Sequence, residues 1–177
     1  MNEIRLLRVQ LATERLHVGA VASACAAAWS GATDLRAAGS DYLQCVLGWF
    51  DERDRRLREL VRTRPDISAP EGQGFEDALG QAGGSDEALQ KLQAAQGGSS
   101  PGWQALAQFV GTVWERRREA IDALLASLTR ATDWRLIAAI DADSILEERR
   151  RFERVNAACP PGALLTEGAA ARKQAQC

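Results

Sequence analysis

A chain of 177 residues, 46% hydrophobic and 26% charged, can bury one real core and is short for two domains. Its formal net charge of −2 excludes a global basic field for nucleic acid or an anionic membrane surface. No window holds the roughly 18 consecutive apolar residues of a membrane span, so the expectation is a cytoplasmic, all-α protein without nucleic-acid or membrane partners.

Apolar residues at three-four spacing predict a first helix from about Asn2 to Trp29, with Ile4, Leu7, Leu11, Val18, Val21 and Cys25 on one face. Ser30-Gly31 ends it. A second helix spans about Ser40 to Arg64, with Ser40 as N-cap, the stripe Leu43, Val46, Leu47, Phe50, Leu57 and Val61, and Pro65 as its stop. Residues 65–101 read as a Gly/Pro-rich connection carrying a weak third helix, short or interrupted by Gly83-Gly84. Pro101 opens a fourth helix through Leu106, Phe109, Val110, Val113, Ile121, Leu124 and Leu128. A last helix runs from about Thr132 to Pro160, with Trp134, Ile137, Ile140, Ile145, Phe152 and Val155 inward. Residues 161–177 read as a disordered tail. The expected architecture is an antiparallel up-and-down four-helix bundle over 1–160 with an additional C-terminal helix.

The apolar stripes are broken by charge. Glu14 interrupts the first seam, Asp54 the second and Arg117 the fourth, while Asp141 and Glu148 fall on the last. Counted from the helix ends at about 1.5 Å per residue, Glu14, Asp54 and Arg117 lie at similar depth and can meet in one buried polar layer. Three readings stay open: a ligand-binding layer, a structural ion-pair layer that fixes register, or stripes misphased by one residue so that the charges face water. The basic runs Arg53 to Arg58, Arg116 to Arg118 and Arg149 to Arg151 are interleaved with acids and read as solvated, salt-bridged faces.

His17 is the only histidine, and Glu14-Arg15-Leu16-His17 has a spacing that places two ligands on one helical face. Cys25, Cys45, Cys159 and Cys177 are too scattered for a zinc site or a disulfide framework, and Cys25 and Cys45 read as core filler. No nucleophile elbow, P-loop or dinucleotide fingerprint occurs, so the reading leans away from an enzyme. Among the five tryptophans, Trp29 and Trp103 are placed to lie at an exposed interface.

The segments Asp41-Tyr42-Leu43, Val46, Trp49-Phe50 and Asp51-Glu52-Arg53-Asp54-Arg55 resemble the second helix of bacterial hemerythrin-like proteins. Phe109-Val110, Val113-Trp114-Glu115-Arg116-Arg117-Arg118-Glu119 and Leu124-Leu125 resemble the fourth helix of that family, with its H-x-x-x-E/D ligand pair. Glu14 to His17 sits where the first ligand histidine stands, and Trp134 to Phe152 resembles the family's extra C-terminal helix. The ligands themselves depart from the pattern. Asp51 or Glu52 replaces a histidine, Arg55 replaces the bridging carboxylate and Glu115 replaces the fourth-helix histidine, although Glu119 keeps a carboxylate.

The resemblance therefore implies a member without a di-iron centre or any cofactor, acting as a binding or regulatory bundle on a small ligand or protein partner. Two alternatives stand beside it. One is an Fe or Mn protein using Glu14, His17, Asp51 or Asp54, Glu115 and Glu119. The other is a structural helical interaction protein or homodimer.

Overall fold

The computed structural model describes residues 3–29, 31–64, 69–81, 84–96, 100–127, 137 and 141–160. Every regular element among them is helical, so the chain is all-α. The first rod consists of α1 (Glu3–Thr13), a π-helical turn (Glu14–Val18) and α2 (Gly19–Ala27). Then come α3 (Thr33–Thr63), α4 (Ala69–Gln81) and α5 (Gly84–Gln96). A further rod is built from α6 (Ser100–Phe109), a second π turn (Val110–Trp114) and α7 (Glu115–Ser127). The last helix is α8 (Ala142–Ala158). No helix is long and apolar enough to cross a membrane among the described residues.

Helix α2 packs on α3 and α6, α5 bridges α3 and α6, α4 lies on α7, and α8 runs along α3. The directions are set by paired residues. Glu14 meets Arg53 and Arg117, whereas Cys25, further along the same rod, lies against Gly39, which Trp103 also approaches. Numbers rise on the first rod as they fall on its two neighbours, so it is antiparallel to both.

Two apolar clusters fill the interior. The larger gathers Val18, Val21, Cys25, Tyr42, Val46, Phe50, Trp103 and Trp114, among others. The smaller gathers Leu57, Leu60, Phe75, Ile121, Leu124, Leu125 and Ile137.

Several boundaries differ from those expected. Helix α3 begins at Thr33 rather than Ser40, so Ser40 is a buried residue inside a helix and not a cap. The reason is tertiary: Leu35, Arg36 and Gly39 continue the buried face back toward the turn. At Gly39 a Cβ would overlap Cys25 Sγ and crowd Val21, so this position needs glycine for close helix approach. Residues 69–96 form two helices rather than one weak one, and Gly72 lets α4 approach Val61 closely.

The first rod stops at Ala27, which leaves Trp29 60% exposed, whereas Trp103 is fully buried and is not an interface residue. Asp141 is an exposed N-cap whose side chain accepts from Ser144 N, so it belongs to no seam. Cys25 is buried and Cys45 half-buried. Trp134, Ile140, Cys177 and the segment 161–177 lie outside the described residues.

Candidate functional site: a buried ionic box

Glu14, Asp54 and Arg117 meet in one buried layer, and a fourth residue, Arg53, joins them. Glu14 Oε2 accepts from Arg53 Nη1 at 2.5 Å, and Glu14 Oε1 accepts from Arg117 Nη1 at 3.0 Å. Asp54 Oδ1 accepts from Arg53 Nε at 3.2 Å and Nη2 at 3.1 Å, while its Oδ2 pairs with Arg117 Nη2. Each carboxylate thus bridges two guanidiniums, and the two positive and two negative charges cancel. The Arg117 guanidinium also stacks over the Trp114 ring at 3.9 Å, and Arg53 lies over Phe50 at 5.2 Å.

Local structure explains the placement. Glu14 is the first residue of one π turn, and Trp114 is the last residue of the other. Because the rods are antiparallel, both π turns fall on the same side of the box. A π turn inserts one residue into the helical repeat and rotates the remainder of the helix, a device common where a helix must aim a polar group inward.

Burial by itself would push the Glu14 carboxyl up. The Arg53 and Arg117 charges outweigh it and hold the group below the usual carboxylate range. Burial pushes the Arg117 guanidinium down and Glu14 pulls it back, and it stays charged at neutral pH. One turn before Glu14, Gln10 is fully buried as well, and its amide has no hydrogen-bond partner among the described residues.

Arg53 corrects the reading of residues 53–58 as a solvated face: it is completely buried, as is Arg117 in the second run. The signal was present in the sequence. Val46, Phe50, Arg53, Leu57 and Leu60 keep a four-three-four-three spacing, and all five are buried.

His17 lies apart from the box. Its Nδ1 is 3.0 Å from Glu148 Oε1, and the same oxygen accepts from Tyr42 Oη at 2.8 Å. The imidazole stacks on Phe152 at 4.0 Å, and about a third of its side chain is exposed. Burial, first, and the Glu148 charge, second, push the Tyr42 phenol far up, so it remains a proton donor at any ordinary pH. Glu148 is therefore buried, as its stripe position suggests, but at the α3–α8 contact rather than in the box.

The alternative metal set does not converge. Glu14 is engaged by two arginines and His17 by Glu148, while Asp51, Glu115 and Glu119 face solvent. Glu115 pairs with Arg118. No group of three or more His, Cys, Asp or Glu is arranged to hold a metal ion among the described residues. A fixed pair of guanidiniums beside Glu14 and Asp54 opposes a dication and occupies the lone pairs it would need.

Arg55, at the position of the family's bridging carboxylate, is exposed and paired with Glu52. The described surface carries an open depression along α8, of about 440 Å³, lined by Glu147, Arg150, Glu153 and Arg154, whose charges sum to zero. It does not adjoin the box. Compared with family models, with curated proteins and with solved structures, the chain matches none.

Proposed function

We propose that this chain is a non-catalytic binding or regulatory module of the hemerythrin-like type, working in the cytoplasm, in which an ionic box replaces the di-iron site. The observation that carries this reading is the Glu14 carboxylate shared between Arg53 and Arg117 at the depth where the resembled family keeps metal. Such a layer is self-satisfied. It fixes the register of three helical rods and needs no cation to balance it. It also leaves no side chain poised for acid–base or nucleophilic work, because all four charged groups are consumed by one another.

The test is the metal content of protein purified from cells grown with excess iron and manganese. This reading predicts well under one metal ion per chain after gel filtration. One or two tightly held iron or manganese ions per chain would overturn it and restore the carboxylate-rich metalloprotein.

A second reading, an interaction protein or homodimer, is favoured by one observation: Leu16, Trp29 and Leu146 are large apolar side chains exposed to solvent. Sedimentation at increasing concentration decides it. A concentration-dependent dimer supports this reading, and a monomer throughout rejects the homodimer.

A further inference from the structure

Helix α8 differs from its neighbours in how it is held. Of its 17 residues only Glu148 and Val155 are buried, and one of these two is a carboxylate. Phe152, Ala158 and Cys159 pack partly against the larger cluster, and Leu146 is 54% exposed. The remaining anchors are polar. Arg151 and Arg154 both reach the Asp41 carboxylate on α3, and Arg151 also pairs with Glu147 on its own helix. These rim pairs are partly solvated and are screened by salt, so each adds little.

The buried anchor is different. Taking Glu148 out of water is costly, and the cost is offset by Tyr42 Oη and His17 Nδ1, which both converge on Oε1. Docking of α8 thus depends on two hydrogen bonds to a single oxygen and a small apolar contact. A helix of this length is marginal in isolation, so undocking and unwinding are coupled.

Beneath α8 lie the chain's only histidine, Tyr42 and Cys45. Cys45 sits within electrostatic reach of Glu147, Glu148 and Arg151, and burial pushes its thiol up.

We infer that α8 is a releasable strap, held over the α3 face at Tyr42 and Cys45 by the Glu148 anchor and able to open while the other helices stay folded. This inference concerns the outer face of α3 and does not depend on whether the ionic box excludes metal. Opening returns Glu148 to water, exposes both faces of the His17 ring and uncovers Cys45, so a partner that competes for Tyr42 and His17 would hold the strap open. Such local opening belongs to the least stable unit of a fold, and α8 has the thinnest buried contact to hold it.

The test is hydrogen exchange by mass spectrometry on the full chain, with Cys45 alkylation and peptide mapping as a second readout. In the wild type, amides of 144–158 are expected to exchange at least about tenfold faster than those of 43–57. Tyr42→Phe, which removes one donor to a charged acceptor, is expected to speed α8 exchange and Cys45 alkylation by about a further tenfold, leaving 43–57 unchanged. Phe152→Leu, which trims the stacked ring without touching the core of α3, is expected to act in the same direction. Exchange of α8 in step with α3, in the wild type or in either variant, would overturn the inference. So would α8 exchange or Cys45 alkylation that neither variant alters.

Discussion

Glu14 and Arg117 are joined across two helical rods by a 3.0 Å hydrogen bond between groups with fully buried side chains. The second oxygen of Glu14 is held by Arg53, so loss of any one member strands the others in the interior. Single substitutions Glu14→Ala or Arg117→Met are expected to destabilise the chain by about 3–5 kcal/mol. Replacing Glu14, Arg53, Asp54 and Arg117 together by apolar residues of similar volume is expected to cost far less than the sum of the single changes. Urea unfolding of the single and quadruple variants measures both. Equal and additive losses would show that the four groups do not act as a unit.

The acid limb of stability belongs to Glu14. Its folded carboxyl lies below the usual range because Arg53 and Arg117 outweigh burial, so it contributes stability above the unfolded value near about 4.3. That contribution fades as pH falls below about 4 and is gone once the folded group protonates. Glu14→Gln is expected to lower stability at pH 7 and to flatten its dependence below pH 5. Glu52 is held down to about 2 by Arg55 and Arg56, but it lies at the surface, where solvent screens the gain. Glu52→Gln is therefore expected to leave the acid limb nearly unchanged. Thermal unfolding between pH 2.5 and 7 separates the two carboxylates.

Two glycines of α3 give opposite expectations. Gly39→Ala drives a methyl into Cys25 Sγ and against Val21, and is expected to cost about 1–3 kcal/mol. Gly48 has open space around its Cβ position, and Gly48→Ala is expected to stabilise by about 0.5–1 kcal/mol through helix propensity. Melting temperatures of the two variants check the signs.

Burial of Cys25, chiefly, pushes its thiol up to about 12, and Sγ is directed at the Leu35 carbonyl. It is expected to resist alkylation in the folded chain at pH 8 and to react only after global unfolding. Peptide mapping after a short iodoacetamide pulse distinguishes it from the half-buried Cys45.

How much of this was legible in the sequence differs from residue to residue. Glu14, Asp54 and Arg117 could be placed at one depth because charge on an apolar stripe stands out and helical rise is fixed. Arg53 sat on a buried stripe too, but it was flanked by Asp54, Arg55 and Arg56, and a charge run reads as solvated unless its phase is traced residue by residue. The start of α3 was missed because residues 33–39 have a weak apolar pattern, and their helix is held by packing at Leu35, Arg36 and Gly39. Arg36 illustrates the point: it donates to the Cys25 and Ala28 carbonyls at the end of the first rod and to Ser100 Oγ. The meeting of His17, Tyr42 and Glu148 was illegible, because it depends on where α8 docks, and no periodicity encodes that. The π turns were equally hidden, since one inserted residue is invisible in a stripe that also tolerates steps of three and four.

The central claim is that the buried layer is complete without a metal, its four charges satisfying one another. The most direct measurement is the unfolding temperature of the purified chain with and without a large excess of Fe(II), Mn(II) or Zn(II). A ligand that binds the folded state tightly raises stability by about 2.7 kcal/mol at a hundredfold excess over its Kd. The ionic box predicts no rise with any of the three ions. A rise of several degrees that disappears in Glu14→Gln would contradict it.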